Sequence, residues 1–315
     1  LPGLIAYHYS YEAAQLDVCR PARFAGAHAL CDEAVGLDLP ARLVICRNGP
    51  PVAYDLLSID IGSTPNVSVP GAAEHATAVK PIDRFLEQWN ALRDRVRAAP
   101  TPTRVAVVGG GAGGVELVLS VQFALRTLLQ EQGQAADRLE CHLFTSSPTI
   151  LPTHNRRARA IFDRIFRQRG IRAHLNRTIA AVEAGCLRDD TGTAHPADEI
   201  LWTTEARAAS WLHESGLATD EDGFVRVAAT LESASHPGVF AAGDVAALVG
   251  HQLEKSGVYA VREGKTLAPN LRRAVTGERL QPYRPQRQFL SLISTGNKYA
   301  VASRGPFAIG GAWVW

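Results

Sequence analysis

Arg104-Val-Ala-Val-Val-Gly-Gly-Gly-Ala-Gly-Gly-Val-Glu116 is a short apolar run that breaks into a glycine loop and resumes as a helix. Its spacing reads as a dinucleotide site. Gly109 permits the tight strand-to-helix turn, Gly111 lets the backbone approach a pyrophosphate, and Gly114 lets the helix pack closely on the strand. The helix expected from about Gly113 to Gln130 points its free N–H groups and positive dipole end at the phosphates, so no cationic side chain is needed there.

A lone glycine pattern is weak, and its context is what strengthens it. Val105 to Val108 is the β-branched run of a strand buried on both faces. Val115, Leu117, Val118, Leu119, Val121, Phe123, Leu125, Leu128 and Leu129 then make a strongly apolar helix. A second strand follows at Leu139 to Phe144, where a Rossmann unit needs one. The residue that would bind the ribose of NAD should be acidic at that strand's end, and here it is Thr145, followed by Ser146 and Ser147. That departure leaves NADH against NADPH open.

Composition bounds the rest. The 315 residues suffice for two domains, and 46% hydrophobic residues fit a folded globular chain rather than a disordered one. Lys plus Arg number 33 against 31 Asp plus Glu, and a net charge of +2 gives no bulk electrostatic case for nucleic acid. The five cysteines are odd in number and never form C-x-x-C, which favours a reducing, cytoplasmic setting over a disulfide or zinc framework. The histidines show no metal-ligand spacing, so no metal is expected, and no G-x-S-x-G elbow supports a hydrolase. No apolar run approaches the ~18 residues of a membrane span, and no signal peptide precedes Leu1. The absence of Met marks the chain as an expected fragment.

Along the chain, a helix capped by Ser10 precedes short strands at Ala34 to Leu37, Arg42 to Cys46 and Asp55 to Ile61, read as an antiparallel meander with a turn at Asn48-Gly49-Pro50-Pro51. A helix follows from about Pro81 to Ala98. Pro100-Thr-Pro102 is the clearest linker, and a domain is expected to open there and close near Leu231. Further elements are a helix over Ala158 to Arg169, strands over Ile171 to Leu175 and Ile200 to Thr203, and a buried strand in Val239-Phe-Ala-Ala-Gly-Asp244. A helix from Gly257 to about Ala274 and C-terminal strands turning at Thr295-Gly296-Asn297 complete the chain. Arg156, Arg157, Arg159, Arg164, Arg167 and Arg169 read as a solvated helix face, with a 2′-phosphate role for Arg156 or Arg157 as the alternative. Trp313 and Trp315 read as core aromatics or as the start of an amphipathic tail.

Three motifs in fixed order, Tyr54-Asp-Leu-Leu-Ser-Ile-Asp-Ile-Gly-Ser-Thr-Pro65, the glycine loop and Val239-Phe-Ala-Ala-Gly-Asp244, resemble the two-dinucleotide-binding-domain flavoproteins of the pyridine nucleotide-disulfide oxidoreductase superfamily. The nearest likeness is to type II NADH:quinone dehydrogenases and to flavoproteins fused to selenide, water dikinase. The resemblance implies an α/β fold of two Rossmann-like FAD/NAD(P)-binding domains, the NAD(P) domain inserted in a discontinuous FAD domain. Residues 1–100 and 232–285 would form the FAD domain, 101–231 the NAD(P)H domain, and 286–315 C-terminal strands.

On the same resemblance, Gly62, Gly243 and Asp244 hold FAD. The segment Gly257, Val258, Tyr259 opens a helix aimed at the flavin, and Glu116 lies near the nicotinamide in a catalytic role. A helix N-terminus stabilises negative charge on reduced flavin. The implied function is an FAD-dependent oxidoreductase that passes hydride from NAD(P)H to flavin and then to a quinone or other small acceptor. The rival is a non-catalytic nucleotide-binding or partner module that has lost flavin. The family's first βαβ unit, with its FAD pyrophosphate loop, would precede Leu1, so this chain alone is expected to hold no tightly bound FAD. Trp202-Thr-Thr-Glu205 stands where the family usually has glycine, which makes Glu205 a departure in the nucleotide channel. A homodimer and a peripheral contact with the inner membrane face, through residues beyond Trp315, stay open as expectations.

Overall fold

The computed structural model describes every residue except Glu205 and the side chain of Ala136, so the expectation attached to Glu205 lies outside the described residues. The chain forms two compact units. One comprises Leu1–Leu16, Pro65–Glu205 and Gln288–Trp315, and the other Asp17–Thr64 and Ala206–Arg287. These cuts differ from the expected ones at residues 100 and 231. Pro100-Thr-Pro102 joins the helix Ile82–Ala98 to the strand Thr103–Val108 inside the first unit, because Phe85, Trp89, Leu92 and Val96 on the helix share a core with Val105 and Val107 on the strand. A prolyl break ends a helix without separating two cores.

The first unit is built on a parallel sheet ordered Thr77–Ala78, Glu199–Trp202, Thr103–Val108, Leu139–Phe144, Arg172–His174. The sheet therefore crosses residue 100, contrary to the expected domain opening there. Side chains alternate across it, as a pleat requires. Val105, Val107, Cys141, Leu143 and Leu201 face one core with the helix Ala112–Glu131. Ala106, Val108, Phe144, Ile200 and Trp202 face another with the meander Ile179–Glu183, Cys186–Asp189, Ala194–Pro196.

Among the described residues, Ala112–Glu131 is long and apolar enough to cross a membrane, with mean hydropathy 1.3. The sequence reading passed over it because glycine and polar residues interrupt the run, and 67% of its apolar window is buried in the unit's core. Three antiparallel strands, Ser291–Ser294, Ala300–Arg304 and Phe307–Gly311, close the chain. Trp313 is exposed, and Trp315 stacks on Tyr9 with ring centroids 5.7 Å apart.

In the second unit, Ala34–Asp38, Leu43–Cys46 and Val52–Ala53 make the antiparallel meander. Leu57–Ile59, expected as its last strand, instead pairs in parallel with Val239–Ala241. A second parallel pair joins Val225–Val227 to Ala246–Leu248. The helix Gly257–Thr276 is capped by Ser256, whose hydroxyl accepts the Val258 N–H at 3.4 Å. Leu37, Ile59, Val225, Val227, Val239 and Ala241 form the shared core.

Candidate nucleotide site

The parallel sheet reverses strand order between Thr103–Val108 and Glu199–Trp202, and the crevice outside the carboxyl ends at such a switch point is where open α/β sheets bind ligands. A cleft of about 390 Å³ lies there. Its walls come from the ends of three strands: Val108 with Gly109, Gly110 and Gly111; Phe144 with Thr145, Ser146 and Ser147; and Trp202 with Thr203 and Thr204.

Each loop glycine has a different neighbour. Gly109 has φ +127°, and a Cβ there would overlap the Thr203 hydroxyl. At Gly114 a Cβ would overlap the Gly109 carbonyl oxygen, so helix and strand come together only without a side chain. A Cβ on Gly110, a position the sequence reading left without a role, would meet the Thr145 Oγ1 at 2.5 Å. Gly111 alone of the four faces open space, on the cleft side. It is also the N-cap of Ala112–Glu131 and offers no side-chain cap, so the first-turn N–H groups have no such partner.

The structure thus brings Gly109, Gly111 and Thr145 to one cleft, while Gly114 supports it from behind. Glu116 is not in the cleft wall. Its Oε1 accepts the Ser294 N–H at 2.6 Å, and burial pushes its carboxyl up to about 7, with that N–H pulling the other way. Arg156 and Arg157 also lie outside the wall, and the Arg157 guanidinium sits over the Phe307 ring, 5.8 Å from its centroid. Arg177, which no local motif marks, stands in the wall instead.

In the second unit the residues assigned to flavin gather where the strands Leu57–Ile59 and Val239–Ala241 end. Gly243, at φ +73°, would press a Cβ to 2.6 Å from Asp60 Oδ1, and its N–H donates to Glu263 at 2.7 Å. Ser63 Oγ donates to Asp244 Oδ2 at 3.2 Å. Burial raises both Asp60 and Glu263 above the usual carboxylate range, and the charge on Asp244 adds to the effect. Such a set of acceptors suits hydroxyl donors rather than phosphates. Gly62, at φ +71°, faces open space. Gly257 and Val258 start the capped helix, and Tyr259 is buried with its hydroxyl 3.4 Å from the Gln286 carbonyl oxygen.

A separate cavity of about 750 Å³ is lined by Asp220, Asp222, Phe224 and Lys255 and by none of the residues assigned to flavin. Lys255 donates to the Ala246 carbonyl at 2.8 Å and lies 3.6 Å from the Phe224 ring centroid, and burial lowers its ammonium below the usual lysine range. Among the described residues, no group of three or more His, Cys, Asp or Glu is placed to hold a metal ion.

A switch-point cleft floored by a glycine turn and an uncapped helix end defines an α/β protein with a candidate ligand site at the carboxyl ends of its strands. The comparisons place it more closely. Residues 17–265 match the model of the pyridine nucleotide-disulphide oxidoreductase family, and the chain belongs to that family. It is 27% identical over 235 residues to a NADH dehydrogenase-like protein of Mycobacterium tuberculosis, a match covering 73% of this chain and 57% of that one. A type II NADH:quinone oxidoreductase of Haemophilus influenzae is 27% identical over 266 residues, 71% of this chain and 59% of that one. The chain therefore spans little more than half the length of these relatives. The sulfide:quinone oxidoreductase structure from Aquifex aeolicus superposes with TM-score 0.80 at 18% identity, over 99% of this chain and 78% of that one. The α/β fold of two-dinucleotide-binding-domain flavoproteins is borne out over nearly the whole chain.

Proposed function

We propose that the chain is the nucleotide-oxidising part of an FAD-dependent NAD(P)H oxidoreductase that delivers electrons to a small acceptor such as a quinone. The observation that carries this reading is the glycine cradle at the switch point: three glycines locked by their neighbours, and a fourth, Gly111, open to the cleft beside an uncapped helix end. Such a cradle recognises a pyrophosphate through backbone N–H groups.

The family likeness adds FAD, which when bound accepts a hydride and releases its electrons to a second acceptor. Ser63, Asp244 and the carboxylates around Gly243 would hold the hydroxyl-bearing part of that cofactor. Gly62 and the helix opening Gly257-Val258-Tyr259 would complete that side, as the family motif implies. Glu116, held near neutrality, is a group able to keep or release a proton at working pH. On this reading the unit built on the parallel sheet carries the nicotinamide nucleotide, and the unit of Asp17–Thr64 and Ala206–Arg287 the flavin. The five cysteines supply no C-x-x-C pair, and burial pushes the Cys141 thiol up to about 12, so a protein disulfide is disfavoured as acceptor.

The protein carrying this chain at full length is expected to show flavin absorbance that bleaches anaerobically when NADH or NADPH is added. A colourless protein, or a flavin that no nicotinamide nucleotide reduces, would reject the oxidoreductase reading in favour of a non-catalytic binding module.

A further inference from the structure

The cleft ends, beyond the Leu139–Phe144 strand, in Thr145, Ser146 and Ser147, and Arg177 stands beside them. Among the described lining residues Arg177 is the charged one, and none is Asp or Glu. A carboxylate at the position of Thr145 would bond a ribose 2′-hydroxyl and repel a 2′-phosphate. Thr145 carries no charge and repels neither. Its hydroxyl accepts the Ser147 N–H at 3.2 Å, and its carbonyl accepts the Arg177 N–H at 2.8 Å. That last bond fixes the Arg177 backbone to the ribose end of the cleft.

The Arg177 side chain is positioned from the other side. Its guanidinium lies 3.3 Å from Asp189 Oδ2, with 40% of the side chain exposed. Asp189 is buried and anchored: it accepts from the Thr191 hydroxyl at 2.6 Å and the Thr193 N–H at 2.9 Å, and its Oδ2 lies 3.0 Å from His195 Nε2. A guanidinium offers five N–H donors, so one contact to Asp189 leaves others for a phosphate. Holding the fork in place beforehand lowers the entropic cost of binding.

We propose that Arg177 determines specificity at the 2′ position of the adenosine ribose, and that the cleft takes the 2′-phosphorylated nucleotide, NADPH, in preference to NADH. The inference rests on the nucleotide reading of this same cleft. It replaces the helix arginines, Arg156 and Arg157, with a residue that follows the edge strand Arg172–His174.

The test uses the 315-residue chain and two fragments that need no flavin, adenosine 2′,5′-bisphosphate and adenosine 5′-monophosphate, titrated calorimetrically. The wild type should bind the bisphosphate about tenfold more tightly, as one charge-assisted phosphate contact implies. R177A should remove that advantage, its bisphosphate affinity falling to that of the monophosphate. Because R177A deprives buried Asp189 of a partner, R177K serves as the second variant. It keeps a charge but not the planar fork, and should retain part of the preference. Equal wild-type affinities, or an R177A chain that still prefers the bisphosphate, overturn the role of Arg177 while leaving the nucleotide cleft standing. If neither fragment binds, both readings fall.

Discussion

Gly111 and Gly114 look alike in sequence and differ in what surrounds them. A side chain at Gly114 has nowhere to go but into the Gly109 carbonyl, so Gly114→Ala should cost about 1–3 kcal/mol of stability through a forced backbone shift. A side chain at Gly111 meets open space, so Gly111→Val should fold with near-native stability and lose NAD(P)H binding. Paired denaturant titrations and fluorescence titrations separate the two effects, and a Gly111→Val chain with unchanged nucleotide affinity would rule the loop out as the site. The glycine pattern was legible because its spacing is local: Gly109 and Gly114 hold helix against strand where no Cβ fits, and Gly111 stands between them. Arg177 was not. Nothing within several residues of it points to a nucleotide, and it enters the cleft because the parallel sheet sets the strand before it, Arg172–His174, beside Leu139–Phe144.

Between elements, the reading succeeded where a segment's own pattern sufficed and failed where pairing was long-range. The strand Leu139–Phe144 stands as expected, whereas Thr77–Ala78 is two residues long and exists through its pairing with Leu201 and Trp202. Leu57–Ile59 shows the same limit, since its partner Val239–Ala241 lies far along the chain. Helix Ala112–Glu131 and strand Ser291–Ser294 meet through the Glu116 carboxylate and the Ser294 N–H. Because burial raises the Glu116 carboxyl to about 7 in the folded state, the fold binds a proton there more tightly than the unfolded chain, whose value is near 4.5. Stability is therefore greatest below that unfolded value and declines as pH rises through 7. Glu116→Gln keeps an acceptor for Ser294 without the buried charge. It should be more stable than the wild type at pH 8, on the order of 1–3 kcal/mol, and no more stable at pH 4. Identical pH profiles for the two proteins in urea denaturation would show that the carboxylate is not desolvated as the structure has it.

For the molecule as a whole, the division into units assigns chemistry to chain segments in a way that local patterns did not. Residues 65–100 fold with the nucleotide sheet, because the helix Ile82–Ala98 buries Phe85, Trp89 and Leu92 against its core. If that unit holds the nucleotide, ligand occupancy must slow its local opening and leave the other unit's opening alone. Hydrogen exchange reads this directly. With NADPH at a hundred times its dissociation constant, amides in 109–115, 145–147 and 177–179 that exchange only through openings that release the ligand should slow about a hundredfold, while those in 57–60 and 239–248 keep their rates. The loop amides carry the argument, since their protection requires the pyrophosphate to lie on the open side of Gly111, next to the uncapped helix end. Protection confined to 239–248, with the glycine loop exchanging freely, would move the nucleotide out of the switch-point cleft and onto the carboxylate cluster around Gly243.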